Sequence, residues 1–452
     1  MGKLPQGCFR AEAAKERKQK GLVQAMKKKK QLLEELMQGV YDGRLKDIYV
    51  DESMVAAQRE RYVEAVKHYG ELFGGEEVEI YSAPGRSEVG GNHTDHQYGQ
   101  VLATSVNLDA IAVVGLNEDH CIRILSEGYG MITVGLADLS RQEGERETTA
   151  ALIRGVAAGL ERLGFATKQG FNAYVTSNVL IGAGLSSSAA FEVLVGTIIC
   201  GLFHEMKIDP VEIAKVAQYA ENEYFGKPCG LMDQTASSVG GLISIDFKDP
   251  KAPVVEKVSV DFDSYHYSLC IVDTKGSHSD LTDDYAQIPA EMKAAAACFG
   301  KNVLREVGRD EFMKKIPEVR KKAGDRAVLR SLHFFAENER AAAEAKALSE
   351  DRFGDFLGLV KESGASSFQF LQNVYTNKDV QNQGVSVGLA VSESVLDGNG
   401  VCRVHGGGFA GTIQAFVKNS FVEEYRKVLD SVFGEGSCHV LKVRPYGGIR
   451  VF

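Results

Sequence analysis

The sequence has no tryptophan and only nine prolines among its 452 residues, whereas 44% of the residues are hydrophobic and 25% are charged. These proportions are typical of globular proteins and exclude a disordered linker. The length is about three times that of a typical domain, which predicts two or three domains with large cores and excludes a disulfide-stapled miniprotein. The 48 glycines indicate functional loops.

No pair of cysteines has the C-x-x-C spacing, although the chain contains eight cysteines. This scatter argues against a zinc knuckle, a redox dithiol and a disulfide framework. A reducing, cytoplasmic environment is therefore expected.

The basic N-terminal segment is not followed by the apolar stretch of a secretion signal, so none is expected. Residues 1–30 contain ten basic side chains and two acidic ones, although the whole chain has a net charge of −9. We predict a basic, helical extension over residues 1–50 and assign it no chemistry. Serines and Glu192 interrupt the most apolar stretch, residues 179–203, so no membrane span is expected. The overall negative charge disfavours nucleic acid as a partner.

Hydrophobic spacing predicts the order of helices and strands. In the first half, helices are expected over 32–73 with a break near 41–51, a strand over 77–82, a polar loop over 87–100, paired strands within 101–116, a strand over 171–181, and helices over 189–203 and 210–225. In the second half, strands are expected over 240–247, 265–273, 402–405, 412–418 and 438–443, and helices over 294–361 and 421–433.

Two glycines and three serines lie where the strand ending near Ile181 meets the helix beginning near Ala189. The free N–H groups and the dipole at a helix N-terminus favour phosphate, and glycines let it approach the backbone. A serine hydroxyl there can also meet Mg²⁺. The alternative is a serine that caps the helix, with small residues for close packing.

Other phosphate-binding patterns are missing. No G-x-x-x-x-G-K-[ST] sequence occurs, and Ser187 stands where a dinucleotide fingerprint has its third glycine, so P-loop and Rossmann folds are both disfavoured. Residues 406–411 do match G-x-G-x-x-G, but a strand follows them instead of a helix. We interpret them as a hairpin-like glycine loop near a ligand, with a plain turn as the alternative.

A polar loop, residues 86–96, combines six charged or hydrogen-bonding side chains. They are Arg86, Glu88, Asn92, His93, Asp95 and His96. Such a density suits the hydroxyls of a sugar, because each donor and acceptor must be matched when water is removed. A metal site at His93 and His96 is the alternative, although neither a cysteine cluster nor an H-E-x-x-H pattern accompanies it.

A further segment, residues 221–234, ends with Asp233 in a turn of apolar and small residues. A carboxylate in that setting can orient or deprotonate a hydroxyl group. Alone, an aspartate in this setting is more often a turn or capping residue.

In this order, the segments resemble the GHMP small-molecule kinases, and most closely the galactokinase branch. The galactokinase motif G-R-V-N-L-I-G-E-H-T-D-Y stands here as residues 85–96, and P-x-G-A-G-L-S-S-S-A-S as 180–190. The family's P-C-G-I-M-D-Q stands as 228–234, and its G-G-G-F-G-G as 406–411. The resemblance covers about residues 55–452.

The resemblance implies a two-lobed α+β fold with the active site in the cleft, an N-terminal lobe over 51–262 and a C-terminal lobe over 263–452. It implies phosphorylation of the anomeric hydroxyl of a sugar with ATP and Mg²⁺. Asp233 would take or orient the hydroxyl proton, and Arg86 would keep Asp233 ionised. Sugar contacts would come from Asn92, His93, Asp95, Gly230 and Tyr285. The triphosphate would lie against Gly182, Ala183, Gly184, Leu185, Ser186, Ser187 and Ser188. Mg²⁺ would lie at Ser188 and Glu221.

Departures from the motifs leave the sugar open. Asn92 replaces the family glutamate that meets the C6 end of the sugar, and Glu88 replaces the family asparagine. An amide can donate to a hydroxyl or to a carboxylate, so galacturonate is an alternative to galactose. A catalytically silent galactose sensor is a second alternative, but such proteins lose part of the serine loop, which is intact here. We expect a monomer.

Overall fold

The computed structural model describes residues 26–180, 182, 184–276 and 281–452. The first 25 residues of the predicted extension and Ala183 therefore lie outside the described residues. Thirteen α-helices occur in the described part. They are α1 Lys29–Met37, α2 Asp42–Tyr49, α3 Val55–Phe73, α4 Thr149–Arg162, α5 Ser187–His204, α6 Pro210–Tyr219, α7 Met232–Val239, α8 Thr282–Ala297, α9 Arg309–Ala323, α10 Asp325–Ser349, α11 Phe353–Ser366, α12 Gly384–Leu396 and α13 Val422–Phe433.

The strands form two sheets. They are β1 Lys27–Lys28, β2 Glu77–Gly90, β3 Gln100–Asn117, β4 Cys121–Ser126, β5 Met131–Gly135, β6 Gly170–Ser177, β7 Leu242–Asp246, β8 Val254–Val258, β9 Tyr267–Asp273, β10 Gly400–Val404, β11 Thr412–Lys418, β12 Cys438–Leu441 and β13 Ile449–Arg450. The larger sheet has the order β1-β2-β3-β6-β4-β5, with β13 on β2 and β7 and β8 beside β3, and the smaller one has the order β10-β11-β9-β12. Mixed helices and sheets confirm the predicted α+β class.

Strand β2 is longer than the sequence pattern predicts, because it continues beyond Ser82 to Gly90 with irregular register near Pro84 and Gly90. The predicted paired strands within 101–116 are one strand of 18 residues, β3. The loop predicted from Ser87 was therefore partly wrong. Arg86 projects from a rigid strand, not from a loop.

Helix α5 is apolar on all sides because neighbours surround it. It packs with α4, α6 and the large sheet in one core. Among the described residues it is the one helix long and apolar enough to cross a membrane, but 67% of it is buried inside the protein. Its first turn carries Ser187 and Ser188 at the edge of this core.

Residues 26–50 pack on the large sheet. Leu32, Leu36, Leu45 and Ile48 are buried in a core that also contains the C-terminal residue Phe452. The break predicted over 41–51 contains α2 and was wrong in that respect. The domain boundaries at residues 50 and 262 stay predictions.

Candidate active site

Arg86 and Asp233 form a bidentate ion pair between β2 and the first turn of α7. Arg86 Nε donates to Asp233 Oδ1 at 2.7 Å, and Arg86 Nη2 donates to Asp233 Oδ2 at 2.7 Å. Two parallel charge-assisted bonds fix the orientation of both planar groups. The Asp233 side chain keeps 31% of its surface exposed. A charged oxygen is therefore held rigidly at an open surface.

The Asp233 carboxyl is ionised at neutral pH. Burial raises its pKa, but the charge and hydrogen bonds of Arg86 and a hydrogen bond from Ser186 outweigh burial, so the pKa lies below its usual range. Ser186 Oγ donates to Asp233 Oδ2 from the residue that precedes α5. The acid is thereby joined to the glycine–serine turn.

The same arginine holds this turn in place. The Arg86 backbone N–H donates to the carbonyl of Leu185 at 3.1 Å, and Arg86 Nη1 donates to the carbonyl of Gly184. Gly182 and Gly184 have φ angles of 78° and 65°, which side-chain-bearing residues rarely adopt. The turn leads directly into α5, and the first backbone N–H groups of α5 have no hydrogen-bond partner within the helix.

Two cavities meet at Asp233. Cavity A, of about 180 Å³, is lined by Arg86, Glu88, His93, Asp95, Cys229, Gly230, Met232, Asp233, Gly406 and Gly407. Cavity B, of about 260 Å³, is lined by Leu180, Gly182, Gly184, Leu185, Ser186, Ser187, Ser188, Glu221, Lys227, Cys229 and Asp233. Asp233 therefore lies at the junction of a polar cavity and the glycine–serine turn.

Two further polar groups in cavity A have shifted ionisation. Burial and the nearby Asp233 charge raise the pKa of Asp95 to about 6 although backbone hydrogen bonding opposes them. Burial lowers the pKa of His93 to about 4, so its ring is neutral at pH 7. His93 Nε2 lies 3.1 Å from the carbonyl oxygen of Gly407. Cavity A thus presents carboxylates and a neutral imidazole, which suit hydroxyl groups.

Gly230 is needed beside Asp95 because there is no room for a side chain. A Cβ atom at residue 230 would lie 1.9 Å from Asp95 Oδ2. We expect Gly230→Ala to fold and to turn the Asp95 carboxylate out of cavity A. The resemblance implies that Asp95 contacts a sugar, so loss of this hydrogen bond to a charged group should raise the KM for sugar roughly 10- to 100-fold in steady-state assays.

Gly354→Ala is the matched control, since no atom lies near a Cβ at that position. It should leave the KM for sugar unchanged. An unchanged KM in Gly230→Ala would mean that Asp95 does not contact the sugar.

Cavity B contains the residues suited to a magnesium ion. Glu221 lies on a single π-helical turn, Ala220–Phe225, and its carboxylate contacts Lys227 Nζ at 3.3 Å and Gln234 Nε2 at 2.9 Å. Ser188 lines the same cavity. Mg²⁺ typically takes one or two protein oxygens together with substrate phosphates. The described residues contain no group of three His, Cys, Asp or Glu side chains that could hold a metal, whether at His93 and His96 or elsewhere.

Cavity C, of about 600 Å³, was not identified from the sequence. It shares Ser187 and Ser188 with cavity B. Its other lining residues are Ala110, Ser126, Glu127, Tyr129, Gly130, Met131, Ile132, Thr149, Leu152, Val175, Ser177, Val179 and Phe191. These residues come from six separate elements and their connections, so no local motif could reveal them.

Two of the predicted sugar residues line none of these three cavities. Asn92 is fully buried, and its amide bonds to other parts of the protein. Tyr285 lies behind the glycine loop, where its hydroxyl donates to the carbonyl of Gly408 at 2.7 Å. The loop itself is the predicted hairpin, with Val404 paired to Ile413 at its base.

Two family models match the chain. The GHMP kinases N terminal domain matches residues 151–241, and the galactokinase galactose-binding signature matches residues 67–116. These segments contain the glycine–serine turn, Arg86, His93 and Asp95. Both confirm the resemblance drawn from the motifs.

Curated relatives cover most of the chain. A galactokinase of Limosilactobacillus fermentum is 29% identical over 377 residues, which span 81% of this chain and 92% of that protein. A galactokinase of Mannheimia succiniciproducens is 28% identical over 361 residues, which span 78% of this chain and 88% of that protein.

Solved structures share the fold. Lactococcus lactis galactokinase complexed with galactose has a TM-score of 0.72 at 24% identity, covering 85% of this chain and 98% of that one. Methanococcus jannaschii mevalonate kinase has a TM-score of 0.56 at 15% identity, covering 80% and 98%. The predicted GHMP kinase fold is confirmed.

Proposed function

We propose that the chain is an ATP-dependent sugar 1-kinase acting on galactose, because it matches the GHMP kinases N terminal domain and the galactokinase galactose-binding signature. It would convert galactose and ATP to galactose 1-phosphate and ADP. The observation that carries the proposal is the Asp233 carboxylate at the junction of cavities A and B, held by Arg86.

Each cavity has one part in the proposed reaction. The sugar occupies cavity A with its anomeric hydroxyl toward Asp233, and His93, Asp95 and Gly230 surround the ring. Asp233 orients this hydroxyl and accepts its proton as the oxygen bonds to the γ-phosphorus. The bond between the γ-phosphorus and the bridging oxygen of ATP breaks, and ADP leaves. Arg86 keeps the carboxylate ionised and in place.

The nucleotide lies in cavities B and C. The γ-phosphate meets the N–H groups of the glycine–serine turn and of the first turn of α5, where the helix dipole favours negative charge. Ser188 and Glu221 would hold Mg²⁺, which neutralises phosphate charge when bound. In-line placement of hydroxyl and phosphate supplies most of what phosphoryl transfer requires.

ADP release with a panel of sugars tests the function. Galactose, galacturonate, N-acetylgalactosamine and arabinose are each supplied with ATP and Mg²⁺, and galactose is expected to give the highest kcat/KM. No turnover with any sugar, together with measurable sugar and ATP binding, would favour the sensor alternative.

We propose a cytoplasmic monomer.

The base of the nucleotide is placed in cavity C, beside Phe191 on α5. Aromatic stacking on a base is worth about 1–3 kcal/mol. We expect Phe191→Ala to raise the KM for ATP roughly 5- to 100-fold and to leave the KM for galactose unchanged, as measured by ADP release.

The control is Phe368→Ala, which removes a half-exposed ring that does not line cavity C. It should change neither KM. An unchanged KM for ATP in Phe191→Ala would show that the base does not bind in cavity C.

A further inference from the structure

Glu88 lies beside Arg86 on β2 and faces the same cavity. Side chains two residues apart on a strand share one face, and two residues of strand cover about 6.6 Å. Arg86 and Glu88 pair with Ser105 and Ala103 of β3, in unbroken register. Arg86 holds Asp233 beside cavity A, and Glu88 lines the same cavity two residues further along the strand.

The two oxygens of Glu88 have different surroundings. Oε1 accepts from Arg403 Nη2 at 2.6 Å and from Asn92 Nδ2 at 3.0 Å. Oε2 accepts no hydrogen bond from the described residues and is not sealed from solvent, while Glu88 lines cavity A. One oxygen is thus anchored, and the other is free to accept a hydrogen bond in the cavity.

Asn92 has no capacity left for a ligand. Its Nδ2 donates to Glu88 Oε1 and, at 2.7 Å, to the carbonyl of Gly406. Its Oδ1 accepts from Asn373 Nδ2 at 2.9 Å and from Ser367 Oγ at 3.2 Å. Asn92 therefore positions Glu88 and the glycine loop. The family motif has an asparagine at position 88 and a glutamate at position 92, whereas this chain has Glu88 and Asn92, so the amide and the carboxylate are exchanged.

The charges around cavity A disfavour an anionic sugar. Arg86 and His93 are the only basic side chains among the described lining residues; Arg86 is paired with Asp233, and His93 is neutral at pH 7. Arg403 donates to Glu88 and, at 2.6 Å, to the carbonyl of Val89. Among the described lining residues no unpaired cation remains for a substrate carboxylate, which would face like charges.

Resting on the proposed kinase function, we propose that Glu88 is the residue that determines sugar specificity. Its free oxygen accepts a hydrogen bond from a sugar hydroxyl remote from the anomeric centre, and its charge rejects uronic acids such as galacturonate. Burial raises the pKa of the Glu88 carboxyl to about 7, against the lowering effects of Arg403 and Asn92, so binding is best measured at pH 8.

The test is equilibrium binding of galactose and galacturonate in the presence of ADP, measured by calorimetry at pH 8. The wild-type protein should bind galactose at least about 100-fold more tightly than galacturonate. Glu88→Gln keeps an oxygen for Arg403 and presents a neutral amide, so the ratio of the two affinities should shrink roughly 10- to 100-fold. Glu77→Gln, at an exposed position of the same strand, should leave the ratio unchanged.

Glu88→Asp keeps the negative charge but shortens the side chain by one methylene group. It is also the second variant to measure if Glu88→Gln does not fold. It should weaken galactose binding about 10-fold while galacturonate remains rejected. Wild-type galactose affinity in Glu88→Asp, an unchanged ratio in Glu88→Gln, or a wild-type preference for galacturonate would each overturn the assignment. These binding measurements do not require turnover. If the variants change binding as expected but the protein has no kinase activity, the proposed reaction is refuted and the role of Glu88 in sugar binding stands.

Discussion

Asp233→Asn is expected to lower kcat roughly 1,000-fold or more with galactose as acceptor, because the amide cannot accept the hydroxyl proton. Nucleotide binding should change little, since the glycine–serine turn and the first turn of α5 remain. The measurements are ADP release for kcat and calorimetry for the affinity of ADP. Thermal unfolding establishes that the variant is folded.

The control for this variant is Asp310→Asn, at an exposed position in the first turn of α9. It removes one negative charge from the protein and should leave kcat unchanged. Turnover in Asp233→Asn within a few-fold of wild type would show that this carboxylate neither accepts the proton nor orients the hydroxyl.

Asp109→Asn is expected to lower the free energy of unfolding by about 3–5 kcal/mol, because it breaks a buried charge network. Asp109 Oδ1 accepts from Arg61 at 2.7 Å, and Oδ2 accepts from Arg444 at 2.7 Å and Tyr49 at 2.9 Å. Asp109 and Arg444 are fully buried. These contacts tie α2, α3 and the C-terminal segment to β3, and urea unfolding at pH 7 measures their loss.

The pH dependence of this loss has a definite sign. Burial raises the pKa of Asp109, but Arg61 and Arg444 outweigh it and hold the pKa below its unfolded value of 3.8. The stabilisation by the Asp109 carboxylate is therefore complete above about pH 4 and is lost as the pH falls further. The difference in free energy of unfolding between Asp109→Asn and the wild type should therefore become smaller below about pH 4. The control Asp119→Asn, with 57% of its side chain exposed, should cost less than about 1 kcal/mol.

Local chemistry made several elements predictable. The long apolar segment before His204 and the alternation after Glu77 reflect burial on helix and strand faces, and they indicated α5 and β2 correctly in kind. The end of β2 was missed because Pro84 and Gly85 are typical turn residues and polar residues follow them. Arg86, Ser87 and Glu88 are extended because β3 pairs with them. Gln414 and Arg403 also bind Ser87 Oγ and one Glu88 oxygen.

The sequence alone determined the fold class, the glycine–serine turn before a helix, and the residues that resemble a GHMP kinase site, because each depends on neighbours along the chain. The resemblance already implied that Arg86 lies beside Asp233. Only the tertiary structure decided that two parallel hydrogen bonds join them, that cavity C exists, and that Glu88 and not Asn92 faces cavity A. These facts depend on contacts between distant segments, such as Asn92 with Gly406 and Asn373. Hydrogen-bond partners 281 residues away decide where an amide points, and no local pattern encodes them.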